Sequence, residues 1–319
     1  MKLRLWGVRG SIPVPGPSTV RYGGNTTCLE LRYGEDEKLI IVGAGSGIKP
    51  LGDKIVREDL PKGPVTAKLF LSHTHWDHII GFPFFVPIFI PGTRLDLYSP
   101  VNYEERSVEE IIGIQLSYQY FPVRQSELSA RISYHSLKEE VMELDDGMKI
   151  TTKFLNHPVS TLGYRFDYGG RSLVTLYDHE PFRNVFPTDP EADGYDEAAA
   201  KEGEEVAEQE NARIRAFSAG ADAVIHDAQY TQAEYDEKFT GWGHSTYEWA
   251  IREAHRAKVK NLYFFHHDPL RTDDQLDAML AAYRGKIAGK TSMEIHMARE
   301  GLVIDLPPVP ADREAGLSG

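Results

Sequence analysis

Hydrophobic and polar positions alternate along short stretches of the chain, and longer stretches with a helical period lie between them. Alternation over residues 3–6 (Leu3, Arg4, Leu5, Trp6) predicts a first strand. Residues 25–32 and 38–42 predict two more, joined by the turn Gly34-Glu35-Asp36-Glu37. A glycine- and proline-rich loop fills residues 7–24, and Gly43-Ala44-Gly45-Ser46-Gly47 leads into a helix predicted over 48–58. That loop is read as a tight strand-to-helix turn, because it lacks the Lys-Ser/Thr ending of a phosphate-binding P-loop. An apolar run at 67–71 predicts a buried strand. Residues 82–90 are also apolar, but Pro83 and Pro87 break them into a packed loop or lid. Further on, the pattern predicts a strand at 95–98 and a helix over 103–115, with Glu104, Glu105, Glu109 and Glu110 on its solvated face. Strands follow at 131–135 and 149–155, then a hairpin of 162–168 and 171–177 through Gly169-Gly170.

The stretch 189–210 is acidic, and residues 198–217 are helical by propensity, which suggests an insertion or lid. After a strand at 222–225, Ser245 and Glu248 have capping-box spacing ahead of a helix with Tyr247, Ala250, Ile251 and Ala254 on its apolar face. A buried strand at 261–265 precedes a second capping box, Thr272 with Gln275, whose helix turns Leu276, Met279, Leu280 and Tyr283 inward. Residues 293–296 and 302–304 close the series. Strands and helices interleave, so the class is α/β. The expected organisation is a single domain over 1–306, a helical insertion near 187–215 and a flexible tail over 307–319.

With 319 residues the chain can bury a large core, and its formal charge of −13 argues against a surface that tracks a nucleic-acid backbone. The one cysteine, Cys28, allows no internal disulfide and fits the cytoplasm. The first residues are too short and polar for a signal peptide, and no apolar run has the length of a membrane span, so no membrane association is expected.

The strongest chemistry is in Ser72-His73-Thr74-His75-Trp76-Asp77-His78, where four metal-competent side chains fall within six residues in the order H-x-H-x-D-H, directly after a strand. Imidazoles with a carboxylate suit zinc, iron or manganese. Other strands end in Asn156-His157-Pro158, Asp178-His179-Glu180, His226-Asp227-Ala228 and His266-His267-Asp268-Pro269. His244 stands just outside a helix N-terminus, a place that favours phosphate. His135, His255 and His296 have no partner by spacing and are read as packing or surface residues, and His179 as structural rather than substrate-facing. Arg9, Arg21 and Arg271 either bind a phosphate from nearby loops or are simply solvated.

Together these residues resemble the metallo-β-lactamase superfamily, a four-layer αββα sandwich. The resemblance is to its ribonuclease Z-like phosphodiesterase branch, through Gly243-His244-Ser245-Thr246, Ile225-His226-Asp227-Ala228 and the segment from His266 to Asp273. The N-terminal Arg9-Gly10-Ser11-Ile12-Pro13 and Tyr22-Gly23-Gly24-Asn25-Thr26-Thr27-Cys28 are similar to a bacterial and archaeal subgroup of it. The resemblance implies two divalent ions, zinc first, with manganese or iron as alternatives. One would be held by His73, His75 and His157 and the other by Asp77, His78 and His266, with Asp178 between them. His267 competes with His266 for the last position. Two such ions activate a water for in-line attack on phosphorus. Asp77 and His244 would be catalytic, His244 and Ser245 would meet the substrate, and Asp227 would orient a histidine.

The implied substrate is a small anionic phosphodiester, such as a cyclic nucleotide or nucleotide-like compound. The acidic insertion disfavours tRNA, and a homodimer is expected. Lactone or thioester hydrolysis on the same ions, a non-catalytic metal- or nucleotide-sensing module, and an iron site with redox chemistry are the alternatives. One departure stands out: Gly43 occupies the place of the aspartate that usually braces the metal turn.

Overall fold

The alternating positions sort into three apolar layers in the computed structural model of the chain, which describes residues 1–102 and 106–310. The first half contains β1 (Lys2–Gly7), β2 (Cys28–Tyr33), β3 (Lys38–Val42), α1 (Ile48–Glu58), β4 (Thr66–Phe70), α2 (Trp76–Ile79), β5 (Arg94–Pro100), α3 (Val108–Gln115) and β6 (Arg131–Leu137). The second half begins with β7 (Val141–Glu143), β8 (Lys149–Phe154), β9 (Leu162–Tyr168), β10 (Arg171–Leu176), α4 (Glu197–Phe217) and β11 (Ala223–Asp227). It continues with α5 (Gln232–Glu234), which runs into a π-helical turn at Tyr235–Phe239, and then α6 (Tyr247–Arg256), β12 (Asn261–Phe265), α7 (Asp273–Ile287), β13 (Glu294–Met297) and β14 (Val303–Asp305).

Two seven-stranded sheets result, ordered β14-β1-β2-β3-β4-β5-β6 and β13-β12-β11-β10-β9-β8-β7. The last strand crosses back to pair antiparallel with the first. In β3, Ile40 and Val42 face the space between the sheets, while Leu39 and Ile41 face outward under α1. Phe70 of β4 stacks on Tyr98 of β5 and meets Tyr164 and Phe166 of β9 edge-on, tying the sheets together. On the far side, Val174, Val224, Leu262 and Phe264 pack under residues of α4, α6 and α7. This is the expected αββα sandwich. Pairing is parallel from β3 to β6 and from β10 to β13, so the C-terminal ends of β4, β10, β11 and β12 open toward the loops where ligands bind in such sheets.

The hairpin turn at Gly169 and Gly170 has φ of 59° and 69°, the left-handed pair that a two-residue turn of this hand requires. Strand β2 starts three residues later than predicted because Asn25 and Thr26 are bound by Glu300 and Ser46. Helix α3 starts at Val108 under a Ser107/Glu110 capping box, while Glu104 and Glu105 lie outside the described residues. At α6 the cap is Thr246, which accepts from Trp249 N–H, not Ser245; Glu248 instead accepts from Gln232 N–H and Tyr283 OH. The second box, Thr272 with Gln275, forms as predicted. Strand β7 was not anticipated, since three residues are too few to show a period. Residues 82–90 are core rather than lid: two 3-10 turns bury Phe82, Phe85 and Ile88 against α1. Helix α4 ends in the outer layer, where Ile214 and Phe217 are buried. Of the predicted tail, residues 311–319 lie outside the described residues.

Candidate metal centre

Strand β4 delivers Ser72 and His73 to the sheet edge. An extended residue at His75 (φ −62°, ψ 153°) then turns the chain into α2, which carries Asp77 and His78. From the facing sheet, His157 follows β8, Asp178 follows β10 and His266 follows β12. Asp178 and His266 both have left-handed backbone, at φ 51° and 60°. Such a conformation costs roughly 1 kcal/mol or more in a non-glycine residue, and the cost falls on the residues aimed at the cluster.

One ligand atom from each of His73, His75, His157 and Asp178 lies within 4.8 Å of the others, and the same holds for Asp77, His78, Asp178 and His266. Asp178 is common to both groups. Its Oδ1 is 3.1 Å from His78 Nε2 and 3.3 Å from His266 Nε2, and its Oδ2 is 3.5 Å from His73 Nε2 and 3.8 Å from His157 Nε2. Geometry alone therefore brings together the seven side chains singled out in the sequence. His267 is not among them: its Nε2 donates to the Ala298 carbonyl at 2.8 Å.

The outer nitrogens are held. His157 Nδ1 donates to the Gly243 carbonyl at 2.9 Å, and His266 Nδ1 donates to Gln229 Oε1 at 2.9 Å. His73 and His78 share one partner, Ser72 Oγ, at 3.1 and 3.2 Å from their Nδ1 atoms. This leaves Nε2 facing inward, except in His75, whose Nδ1 points in, 3.1 Å from His157 Nε2. His73 Nε2, His78 Nε2 and Asp178 Oδ1 are buried without a hydrogen-bond partner. Buried polar atoms left unpaired are costly, and a pair of cations would engage these. The donor set therefore fits two divalent ions.

The electrostatics divide the cluster. Burial pushes the pKa of His73 well below its usual value and that of His157 to about 4, so both rings are neutral, the form that binds metal. Burial opposes protonation of His78 too, but Asp178 and Asp77 outweigh it and hold the pKa at about 10. Burial likewise opposes the charged form of Asp77, yet His78 and His266 keep it well below the carboxylate range.

Gly43 has φ 82°, and a Cβ there would meet the Thr27 carbonyl oxygen at 2.7 Å. The turn is braced from elsewhere. Ser11 N–H donates to Asp77 Oδ2 at 2.8 Å, and a Cβ on Gly10 would lie 2.4 Å from the His266 ring. Fully buried Arg9 fixes this loop by donating to the carbonyls of Gly23 and Arg271, and its guanidinium lies 3.7 Å from Asp273.

His244 Nδ1 bonds Asp227 Oδ2 at 2.9 Å, and its ring stacks on His266 at 4.9 Å. Burial works against the charged imidazolium, but Asp227 prevails and raises the pKa to about 9. Asp227 Oδ2 also accepts from His179 N–H at 3.1 Å. The expected contact of Ser245 with substrate is corrected: its side chain is fully buried and its hydroxyl donates to the His179 carbonyl. His179 itself is buried against Trp249, a structural position. The candidate phosphate arms are all engaged elsewhere, Arg21 with Asp274 and Asp277 and Arg271 with Glu234. His135 and His296 stack on Tyr98 and Tyr263, and His255 bonds Thr291.

Sequence reasoning passed over Glu180. It is buried, and it accepts from Gly241 N–H and Gly243 N–H at 2.7 Å each and from Tyr235 OH. The carboxylate thereby fixes the loop whose Gly243 carbonyl holds His157. Its nearness to Asp178 in sequence was the available signal.

No protein-family model matches the chain. It is similar to a ribonuclease BN of Erwinia tasmaniensis, 27% identical over 237 residues, covering 67% of this chain and 74% of the relative. It is also similar to a ribonuclease Z of Lactococcus lactis subsp. cremoris, 29% identical over 228 residues, 63% and 70% of the two chains. Among solved structures, the metallo-β-lactamase-fold protein YhfI from Bacillus subtilis superposes with a TM-score of 0.60 at 17% identity, over 95% and 98% of the chains. The short form of human tRNase Z also gives 0.60, at 18% identity over 96% and 100%. The chain is therefore a metallo-β-lactamase-fold protein. Within that fold, the curated sequences it is similar to are named ribonuclease Z and ribonuclease BN.

Proposed function

We propose that the chain hydrolyses a small nucleotide-like phosphodiester on two divalent ions, one held by His73, His75 and His157 and the other by Asp77, His78 and His266, with Asp178 between them. The observation that carries this reading is the set of buried, unpartnered Nε2 and carboxylate atoms converging from both sheets. Bound there, the ions supply an activated water and neutralise charge on the phosphoryl oxygens. Zinc suits the donors best, and manganese or iron fits the same set.

The protein's own groups do the rest. Asp227 holds the Nδ1 side of His244, so the opposite nitrogen is free to give a proton to the leaving oxygen. Gln229, Ser72 and the Gly243 carbonyl keep the other rings from rotating. A phosphodiester agrees with the names of the curated relatives, both ribonucleases. A small substrate rather than tRNA agrees with the overall charge of −13 and the acidic helix α4. No helix among the described residues is long and apolar enough to cross a membrane, and the lone buried cysteine, Cys28, is in keeping with the cytoplasm.

The test is hydrolysis of bis-p-nitrophenyl phosphate by zinc-loaded protein. Activity is expected to vanish on chelation, to return with added metal, and to be absent in His75→Ala. Inactivity of fully metallated protein on a broad panel of diesters would refute the proposal.

A further inference from the structure

Two of the four tryptophans are packed: Trp6 bonds Glu30, and Trp249 is buried in the outer layer. The other two are exposed, Trp76 at 64% and Trp242 at 60%. An exposed indole forgoes the burial that usually places this residue. Each adjoins a residue that carries or holds one of the paired rings of His75 and His157. Trp76 is the residue after His75. Trp242 is the residue before Gly243, whose carbonyl holds His157.

Trp242 is not a loose loop tip. The peptide N–H groups on either side, of Gly241 and Gly243, are both held by the buried Glu180 carboxylate. Its ring meets Phe239 edge-on at 5.3 Å, Phe239 stacks on Tyr230 at 4.1 Å and 5°, and Tyr230 stands edge-on to His244 at 6.0 Å. A fixed row of rings thus runs from the exposed indole to the histidine assigned to the leaving group. Arg9, Arg21 and Arg271 are committed to internal partners, and the half-exposed Arg183, beside Gly241, lies 3.8 Å from the Glu180 carboxylate.

We propose that Trp242, with Trp76, forms a stacking platform at the rim of the centre for a planar aromatic group of the substrate, a nucleobase being the chemistry that fits. This rests on the phosphodiesterase reading and narrows it to diesters that carry such a ring.

The experiment compares thymidine 5′-(p-nitrophenyl) phosphate with methyl p-nitrophenyl phosphate, which share a leaving group, on zinc-loaded wild type, Trp242→Ala and Trp242→Phe. Stacking of a base on an aromatic side chain predicts that Trp242→Ala raises KM for the thymidine diester about ten-fold and leaves the methyl diester within about two-fold, with Trp242→Phe close to wild type. Bis-p-nitrophenyl phosphate separates a nucleobase from any aryl ring: an equal loss there shows that the platform takes aryl groups generally, and no loss shows that it takes the base. A second readout needs no turnover. Adenosine monophosphate, but not inorganic phosphate, should quench the tryptophan fluorescence of wild type and quench that of Trp242→Phe, where Trp76 remains, more weakly. If no diester is cleaved but that quenching is seen, the reaction reading fails and the platform stands. Equal losses on thymidine and methyl diesters, or absence of quenching, overturn the platform. So does a change from dimer to monomer on gel filtration of Trp242→Ala, which would assign the indole to a subunit contact.

Discussion

Ser72→Ala is the sharpest test of how the metal turn is held. Ser72 is buried, as are His73 and His78, and its one hydroxyl is the partner of both Nδ1 atoms, at 3.1 and 3.2 Å. When both rings offer Nε2 to metal, both Nδ1–H groups donate, and a serine oxygen has two lone pairs to receive them. Alanine strands two buried donors, each worth about 1–3 kcal/mol when unpaired. Part of that cost is absorbed by rotation of the rings, which misplaces Nε2. Loss of an outer partner commonly weakens metal binding about 10–100-fold, and about 1.4 kcal/mol is tenfold, so the two scales agree. Because His73 and His78 belong to different ligand groups, both ions should weaken together. The assay is competitive zinc titration against a chromophoric chelator, with metal content measured after dialysis. Ser72→Thr keeps the oxygen and should bind like wild type. Wild-type affinity in a folded Ser72→Ala variant would show that the hydroxyl does not orient the rings. An aspartate at Gly43 is no substitute, because its Cβ would run into the Thr27 carbonyl oxygen at 2.7 Å.

His244→Ala should lower kcat on diesters by about 10²–10⁴-fold with zinc content unchanged, and Asp227→Asn should act in the same direction; loss of metal in either variant would contradict the division of labour. Glu180→Gln sets an amide against donors that now meet a carboxylate, so chemical denaturation should report about 1–3 kcal/mol of lost stability; an unchanged midpoint would remove the latch from the account. Burial resists the charge of Glu30, but Lys54 and Arg32 hold its pKa below the usual carboxylate value. Its folded pKa is therefore below the unfolded value of about 4.3, so its contribution is complete above that pH and is lost as pH falls through the folded value. Glu30→Gln should flatten the acid limb of a stability–pH curve, and an acid limb identical to wild type would show that Glu30 does not carry it.

Legibility in the sequence followed locality. Strand β3, helix α1 and strand β12 sit where the alternation and turn residues put them, because each is buried on a regular face. Metal-type residues at strand ends were visible because each is local to its own strand. What was hidden depends on pairs far apart in the chain. Arg9 reads as a loop cation, yet it is fully buried because the carbonyls of Gly23 and Arg271 converge on it. Ser245 reads as a cap and a substrate contact until the His179 carbonyl claims its hydroxyl. Glu180 has no motif; its importance lies in three donors that arrive from residues 235–243.

The same distinction bears on stability. His73, His75, Asp77 and His78 come from one sheet, and His157, Asp178 and His266 from the other, so neither ligand group exists until the sheets face each other. Binding that requires the sandwich stabilises the sandwich, by an amount that grows with free metal concentration. Without cations, the unpartnered Nε2 of His73 and the left-handed backbone at Asp178 and His266 remain as uncompensated costs. Chelation should therefore lower the melting temperature of the whole domain in one transition, not loosen a loop alone. A melt unchanged by chelation and by added zinc would mean that the convergence of these seven side chains serves something other than metal.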